Sequence, residues 1–570
     1  MFISKNQAWP CLAFALCIPL AQQALAQQLT LPDPSEALRR QQERQQREQE
    51  QLQSAPDVHL PSSAVNATAS LLPLNETACF MIERIELVGA QAQRFAWLKD
   101  ALNGDHDAPL HRCLGANGIN VILTRAQDAL VAKGWVTSRV LAAPQDLTTG
   151  TLVLSVLAGR IGAIRFDTAA SPRGTAWNAV PAWPGDVLNL RDIEQALENF
   201  KRVPTAEADI RIEPGAVQDE SDLIISYQQG FPFRISASLD DGGSRSSGKY
   251  QGALTLSYDH WWTLNDLFYV TLNHDLGGGA DGARGTRGNT VHYSLPYGYW
   301  MLGSTVSRNV YYQTVAGAAQ NYVYSGASST TEVKLQRLIY RDAQRKTTLS
   351  LSAFQRTSNN FIDDSEVQVQ RRIVGGWDFG VNHKESIKQA TLEANLHYKR
   401  GTGAFGSLTA PEQAFGEGTS RFGIITADAN LTLPFAVKQQ QFKFSPSWRW
   451  QMNRAPLSPQ DRFAIGGRYT VRGFDGELSL AAERGWLLRN EVSMLLGASN
   501  RELYLGLDHG EVQGPSSTLL VSKRLSGAAL GVRGQFKKIQ YDVFCARPVN
   551  RPSLFRTASS TAGFSLNFSY

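Results

Sequence analysis

An arginine in a loop and a carboxylate on a strand are the residues of this sequence best placed to act together. Phe463 to Phe474 reads Phe-Ala-Ile-Gly-Gly-Arg-Tyr-Thr-Val-Arg-Gly-Phe, a glycine-punctuated loop ending in Val471-Arg472-Gly473-Phe474. About thirty-five residues later, Leu503-Tyr504-Leu505-Gly506-Leu507-Asp508-His509-Gly510 alternates with period two. Its leucines face one way, and Tyr504, Gly506, Asp508 and Gly510 face the other. If the loop folds back onto that second face, Arg472 meets Asp508. Their attraction is about 4 kcal/mol at an effective dielectric of 20, and removing one partner of such a buried pair costs about 3–5 kcal/mol. The chemistry is that of a lock holding a loop in one state. The spacing equally permits Arg472 to stand in water on the outer surface.

Other chemistry is sparse. Gly243-Ser-Arg-Ser-Ser-Gly248-Lys249 approaches a phosphate-binding loop, but Tyr250 stands where Ser or Thr is required and an alternating strand follows in place of a helix. His106 and His111 lie beside acids at a spacing that fits no metal site. No Gly-x-Ser-x-Gly elbow and no His-Glu-x-x-His occurs. The expectation is no catalytic residue, no metal and no cofactor. A net charge of +5, from 56 basic and 51 acidic residues, comes without a basic patch interleaved with aromatics, so nucleic acid is not an expected partner.

The elements that must position the pair lie in a long strand-rich region. From residue 231 to 570 nearly every segment alternates, as in Leu254 to Tyr258, Phe268 to Asn273, Leu349 to Ala353 and Leu392 to Tyr398, with short turns alternating with longer glycine-rich loops. A mean hydropathy of -0.25 argues against a bundle of membrane helices but not against a membrane barrel, whose strands alternate lipid-facing and water-facing residues. About 340 residues accommodate around sixteen strands of roughly 9–11 residues. A barrel that size encloses a lumen wide enough for an extended chain. The last strand sets Phe564, Leu566, Phe568 and Tyr570 on one face and Gly563, Ser565, Asn567 and Ser569 on the other.

Ahead of this region the chain is punctuated. Lys5, an apolar run from Trp9 to Ala21 and Ala24-Leu25-Ala26 read as a secretory signal over 1–26. Cleavage there leaves Cys79, Cys113 and Cys545 in an oxidising compartment. Asp33-Pro34-Ser35-Glu36 starts a helix in the segment 27–54. From Ala37 to Gln53 that helix is mostly Gln, Glu and Arg, with no apolar face to bury. It therefore sits in water or in a polar cavity, and at ~30 Å it is long enough to plug a barrel. A linker rich in Pro, Ser, Asn and Ala occupies 55–78.

Two small α+β units follow, over 79–158 and 159–230. The first should hold a strand from Phe80 to Val88, a helical stretch near Arg94 to Leu102, and strands near Trp135 to Ala142 and Leu152 to Leu157. Its second helix carries Ile119, Ile122, Leu123, Ala126 and Leu130 on one face, with Gly134 as its stop. A disulfide between Cys79 and Cys113 would stabilise this unit by roughly 3–4 kcal/mol. The second repeats the theme with a strand from Ile161, a helix capped by Asn189 and carrying Leu190, Ile193, Leu197 and Phe200, and closing strands at Ile210 to Ile212 and Leu223 to Tyr227.

The Val-Arg-Gly-Phe loop, the Gly-x-Asp-x-Gly strand and the aromatic final strand together resemble the outer-membrane transporters of two-partner secretion, the hemolysin-activator (ShlB/FhaC/HecB) family. The resemblance covers nearly all of the mature chain. It implies a transmembrane antiparallel β-barrel of about 16 strands, preceded by two β-α-α-β-β POTRA domains and an N-terminal plug helix. It implies pairing of Arg472 with Asp508, and Phe564 to Tyr570 as the signal read by the barrel-assembly machinery during insertion. The implied localisation is the bacterial outer membrane, with the POTRA domains periplasmic. The implied partners are outer-membrane lipid and a secreted exoprotein (hemolysin, adhesin or contact-dependent inhibition toxin) bound unfolded through the POTRA domains and translocated without nucleotide hydrolysis. A BamA-branch assembly factor and a passive porin are the competing classes. Asp219 and Glu220 depart from the family where a glycine is usual, as does the terminal Tyr570 where Phe is usual.

Overall fold

The alternating region closes on itself. In the computed structural model, which describes residues 34–53, 56–60, 71–103, 107–497 and 500–570, one antiparallel sheet forms a closed barrel from Phe233–Asp240 to Thr561–Ser569. The signal over 1–26, the cap Asp33, residues 55 and 61–70 of the linker and His106 lie outside the described residues. Of the eighteen segments in the ring, Ser365–Glu366 is a two-residue extension. Gln440–Phe444 and Ser447–Asn453 are halves of one strand interrupted around Pro446. Sixteen strands remain. Closure pairs Leu566 with Leu239 and Phe568 with Ala237, so no edge is left unpaired in the membrane.

Period-two patterning explains which way each side chain points. On Glu502–Gln513, Tyr504 and Asp508 are 3% exposed, whereas Leu505 and Leu507 are 54% and 55% exposed. The inner row faces the lumen and the outer row faces lipid. Leu566, Phe568 and Tyr570 likewise stand outward, while Ser565 and Asn567 line the lumen. Cys545 lies between the buried Phe544 and Ala546, which places it on the lipid face. The longest connection, residues 454–483, joins the eleventh strand to the twelfth, Arg484–Leu495.

Helix α1 spans Pro34–Leu52 and lies within the barrel. Gln45 donates to Thr290 Oγ1 at 2.9 Å, Arg44 to Gln251 Oε1 at 2.8 Å, and Gln53 to the Tyr269 hydroxyl at 3.0 Å. These partners sit on the inner faces of three neighbouring strands. A helix without an apolar face is matched here to a wall of polar side chains. Leu38 is nevertheless buried, as are Gln41 and Gln45.

The first POTRA unit has a three-stranded sheet of Arg84–Val88, Thr151–Leu157 and Arg139–Leu141. Against it pack α2, Leu98–Leu102, and α3, Ala116–Ala132. The strand expected from Phe80 to Val88 divides at Glu83, and Phe80–Ile82 pairs with Arg112–Leu114. Cys79 and Cys113 are bonded beside that pairing. The strand expected over Trp135 to Ala142 is shorter, limited to Arg139–Leu141.

The second unit departs from the β-α-α-β-β expectation. It has one helix, α4, spanning Leu190–Lys201, with Asn189 Oδ1 accepting from Arg191 N at 2.8 Å. Residues 167–189 form turns and irregular chain, because Pro172, Gly174, Pro181, Pro184 and Gly185 interrupt any helix. Its sheet comprises Arg160–Phe166, Glu220–Gln229 and Ala206–Pro214. Asp219 takes a left-handed φ of 63° where a glycine is usual. Aspartate tolerates that region, so the turn survives the substitution.

This unit sits on the short turns of the barrel. Asn178 donates to Leu264 O at 2.6 Å, Asn199 to Gly298 O at 2.8 Å and Arg202 to Ser294 O at 3.0 Å. Thr205 of the unit donates from N and Oγ1 to Asp259 Oδ2 at 3.2 and 2.9 Å, and the fully buried Asp259 is held within the barrel by Arg234 Nε and Nη2 at 2.9 and 2.8 Å. Amide and guanidinium donors to backbone carbonyls seat the unit firmly, since each breaks at the cost of a buried unpaired group.

Candidate functional site: the lumen lock and plug

The loop over 454–483 turns inward, and Arg472 reaches the barrel wall. Its Nε donates to Asp508 Oδ2 at 2.7 Å, its Nη2 to Asp508 Oδ1 at 2.8 Å, and its own backbone N to Asp508 Oδ2 at 3.0 Å. A fourth hydrogen bond runs from Nη1 to Glu491 Oε2 at 2.7 Å. The side chains of Arg472 and Asp508 are 5% and 1% exposed. A bidentate, charge-assisted pair at this depth is strong and geometrically specific.

Neighbouring strands extend the network. Arg489 Nε lies 3.7 Å from Asp508. Arg533 bridges Glu491 and Glu502, each at 2.7 Å, and Lys443 reaches Glu502 at 2.7 Å. Tyr504 donates to Asp542 Oδ1 at 2.8 Å, and the Arg533 guanidinium lies 5.0 Å from the centre of its ring. Glu491, Arg489 and Arg533 were not singled out in the sequence. Their signal was inner-face position on alternating strands, which only register reveals.

Two glycines make the approach possible. A Cβ on Gly506 would stand 2.2 Å from Arg472 Nη2, and one on Gly473 would stand 2.4 Å from Arg547 O, at a φ of 105° that L residues rarely adopt. Gly510 lies beneath Val471, where a Cβ would be 3.0 Å from Val471 Cγ2. Val471 and Phe474 are buried with Ile465, Leu480, Leu487 and Leu525. Phe474 meets Phe555 edge to face at 5.7 Å. Val471, Arg472, Gly473 and Phe474 are thus brought together with the inward-facing Gly506, Asp508 and Gly510.

The plug touches the same loop. Arg39 donates to Ser479 Oγ at 3.2 Å, Arg40 donates to Gly476 O, and the Arg47 guanidinium lies 4.1 Å from the centre of the Tyr469 ring. Arg468 pairs with Asp241 at 2.8 Å on the far side. Loop 454–483 is therefore held between wall and helix. Beside the helix remains a polar cavity of ≈ 280 Å³, lined by residues including Arg47, Glu48, Arg489 and Asp542.

The family described as haemolysin secretion/activation protein ShlB/FhaC/HecB matches residues 219–534. The chain belongs to it. Residues 80–159 match the POTRA domain of ShlB type, and 160–214 match a POTRA domain.

Among curated relatives, the outer membrane transporter CdiB-2 of Burkholderia pseudomallei (strain 1026b) is 36% identical over 510 residues, covering 86% of each chain. The hemolysin transporter protein ShlB of Serratia marcescens is 25% identical, covering 70% of this chain and 71% of that one. The solved structure of CdiB from Acinetobacter baumannii superposes with a TM-score of 0.83 at 28% identity, covering 95% of this chain and all of that one. The chain is an outer-membrane transporter of two-partner secretion, and its POTRA domains lie in the periplasm. The short turns carrying the second POTRA domain are thus the periplasmic ones, and loop 454–483 enters the lumen from outside.

Proposed function

We propose that this transporter carries an exoprotein of the kind served by the CdiB transporters. The carrying observation is the 36% identity to CdiB-2 over 86% of both chains. The client arrives unfolded, is held in extended form by the POTRA domains, and passes outward through the lumen once α1 has left it. Arg472 and Asp508 keep loop 454–483 against the wall while the rest of the lumen empties. Val471, Phe474 and the glycines Gly473, Gly506 and Gly510 shape that seat. The disulfide between Cys79 and Cys113 stiffens the first POTRA domain, which meets the client.

The work is transport and not catalysis. Folding of the client outside the cell supplies direction without a nucleotide. The outward row Phe564, Leu566, Phe568 and Tyr570 serves insertion into lipid by the barrel-assembly machinery. The test is release of the exoprotein encoded beside this chain into the medium, in cells with and without the transporter. Release that depends on the transporter supports the reading, and equal release from both overturns it.

A further inference from the structure

The outer wall of the barrel gathers positive charge that the protein does not balance. On Ala390–Thr402 the inner row is fixed by Asn395, which donates to Asp428 Oδ2 at 2.9 Å, and by His397 Nδ1, 2.9 Å from Asp378 Oδ1. Leu396, Tyr398 and Arg400 therefore face outward. Arg400 pairs in register with Gly423, the first residue of Gly423–Val437. Arg454, just past the end of Ser447–Asn453, donates its backbone N to Gly423 O at 2.8 Å. Three neighbouring strands thus set Arg400 and Arg454 on either side of a glycine. A Cβ on Gly423 would stand 3.3 Å from the Tyr398 hydroxyl and 3.4 Å from Arg454 Cβ, so the missing side chain leaves a saddle between the two arginines.

Both guanidiniums lean on one tyrosine. Arg400 Nη1 donates to the Tyr398 hydroxyl at 3.2 Å, and the Arg454 guanidinium lies 5.6 Å from the centre of the Tyr398 ring. Arg421, two residues before Gly423, reaches toward the end of the Arg400 strand, its Nη2 being 3.4 Å from where a Cβ on Gly403 would stand. All three arginines are exposed, and among the described residues none has a carboxylate partner. Arg524, also exposed on the outward face, is by contrast paired with Glu511 at 3.1 Å. Like charges gathered on neighbouring strands repel, so the cluster is complete only with an anion from outside the chain. Its height says where that anion lies. Arg400 is ten residues beyond Ala390, which follows a periplasmic turn; at a tilt of about 40° that is ~25 Å, the height of the apolar band of such barrels. Below it stand the exposed Leu396, Phe379 and Met452, and Trp377 meets Tyr398 edge to face at 5.4 Å, as in an interfacial girdle. The arginines therefore sit where the hydrocarbon of the outer leaflet ends.

We infer that Arg400, Arg421 and Arg454, with the Tyr398 hydroxyl, form a binding site for the phosphorylated headgroup of an outer-leaflet glycolipid of the lipid A type. A guanidinium presents a planar fork of donors that matches phosphate oxygens, and three of them spread over adjoining strands suit a headgroup with two separated phosphates better than a phospholipid with one. The acyl chains of the same molecule lie down the apolar column beneath. Binding ties the loop over 403–422, which carries Arg421, to the membrane surface and fixes the depth of this side of the barrel. The inference rests on the outer-membrane location alone and is independent of which client is carried.

The test uses the full chain in uncharged detergent micelles, with native mass spectrometry counting bound lipid. Three probes are titrated: bisphosphorylated lipid A, the same lipid with both phosphates removed, and phosphatidylglycerol. The intact chain should bind the first roughly tenfold more tightly than either of the others, the loss expected when one charge-assisted hydrogen bond is removed. The triple variant Arg400→Gln, Arg421→Gln, Arg454→Gln should bind bisphosphorylated lipid A no better than the dephosphorylated lipid. Arg337→Gln, which removes a guanidinium stacked 4.8 Å from the centre of the Trp300 ring at the periplasmic end, should leave binding unchanged. Heat-modifiable migration confirms that each barrel is folded. Equal binding of the two lipid A forms by the intact chain overturns the site without recourse to any variant. Equal binding of phosphatidylglycerol overturns the assignment to glycolipid, and full affinity in the folded triple variant overturns the assignment to these residues.

Discussion

Replacing Asp508 with Asn removes the charge but keeps the shape of the wall beneath Arg472. Asp508 accepts three hydrogen bonds from Arg472. An amide offers one oxygen to those donors and turns its own N–H toward the guanidinium. The loss is that of a broken buried pair, about 3–5 kcal/mol, and retention of Glu491 at 2.7 Å keeps it near the lower figure. At 1.36 kcal/mol per decade, ~3 kcal/mol raises the opened fraction of the loop by roughly a hundredfold. The loop loosens without leaving, because burial of Val471 and Phe474 each contributes about 1.5–3 kcal/mol. Hydrogen exchange of the amides of residues 470–474 in the reconstituted barrel reads this directly. Protection should fall by about two orders of magnitude, whereas a fall of less than about threefold, with the barrel folded, would refute the argument that Asp508 holds the loop.

Three further outcomes follow from the geometry. Gly506→Ala should reproduce the Asp508→Asn exchange phenotype, since the added methyl occupies the place of Arg472 Nη2; wild-type protection would contradict the steric argument. Cys79→Ser with Cys113→Ser should destabilise the first POTRA domain by roughly 3–4 kcal/mol, seen as faster exchange in α3 of the intact chain with the barrel unchanged. Burial pushes the Asp192 carboxyl up to about 6, against the opposing hydrogen bond from Tyr299. A raised carboxyl favours the folded state when protonated, so this contribution is complete below about pH 4 and lost as pH rises through about 6. Exchange near α4 should be slower at pH 4 than at pH 8 after correction for intrinsic rates, and Asp192→Asn should abolish the difference.

Much of the fold was legible because period-two alternation has one structural meaning in a membrane. The Glu502–Gln513 strand shows it, with leucines outward and Asp508 inward as the sequence required. Position 472 was legible only as a possibility, since a loop arginine can face water or wall, and the motif resemblance decided between them. Glu491 and Arg533 were invisible because cross-strand register, not sequence spacing, sets them beside Arg472. The missing helix of the second POTRA domain was readable in hindsight from Pro172, Pro181 and Pro184. Glu194 and Glu198 were hidden for another reason. On an amphipathic helix they look like a solvated face, and only the return of residues 56–60 and the approach of Arg341 bury them.

The account turns on the lumen being the route and α1 being the gate. Gln45 and Thr290, hydrogen-bonded across helix and wall, can be replaced by cysteines in a Cys545→Ser background and joined with a short bis-maleimide. The measurement is release of the neighbouring exoprotein before and after joining, at equal levels of folded barrel. The account expects release from the unjoined variant and none once the helix is tethered to the wall. Undiminished release with the helix tethered would contradict it.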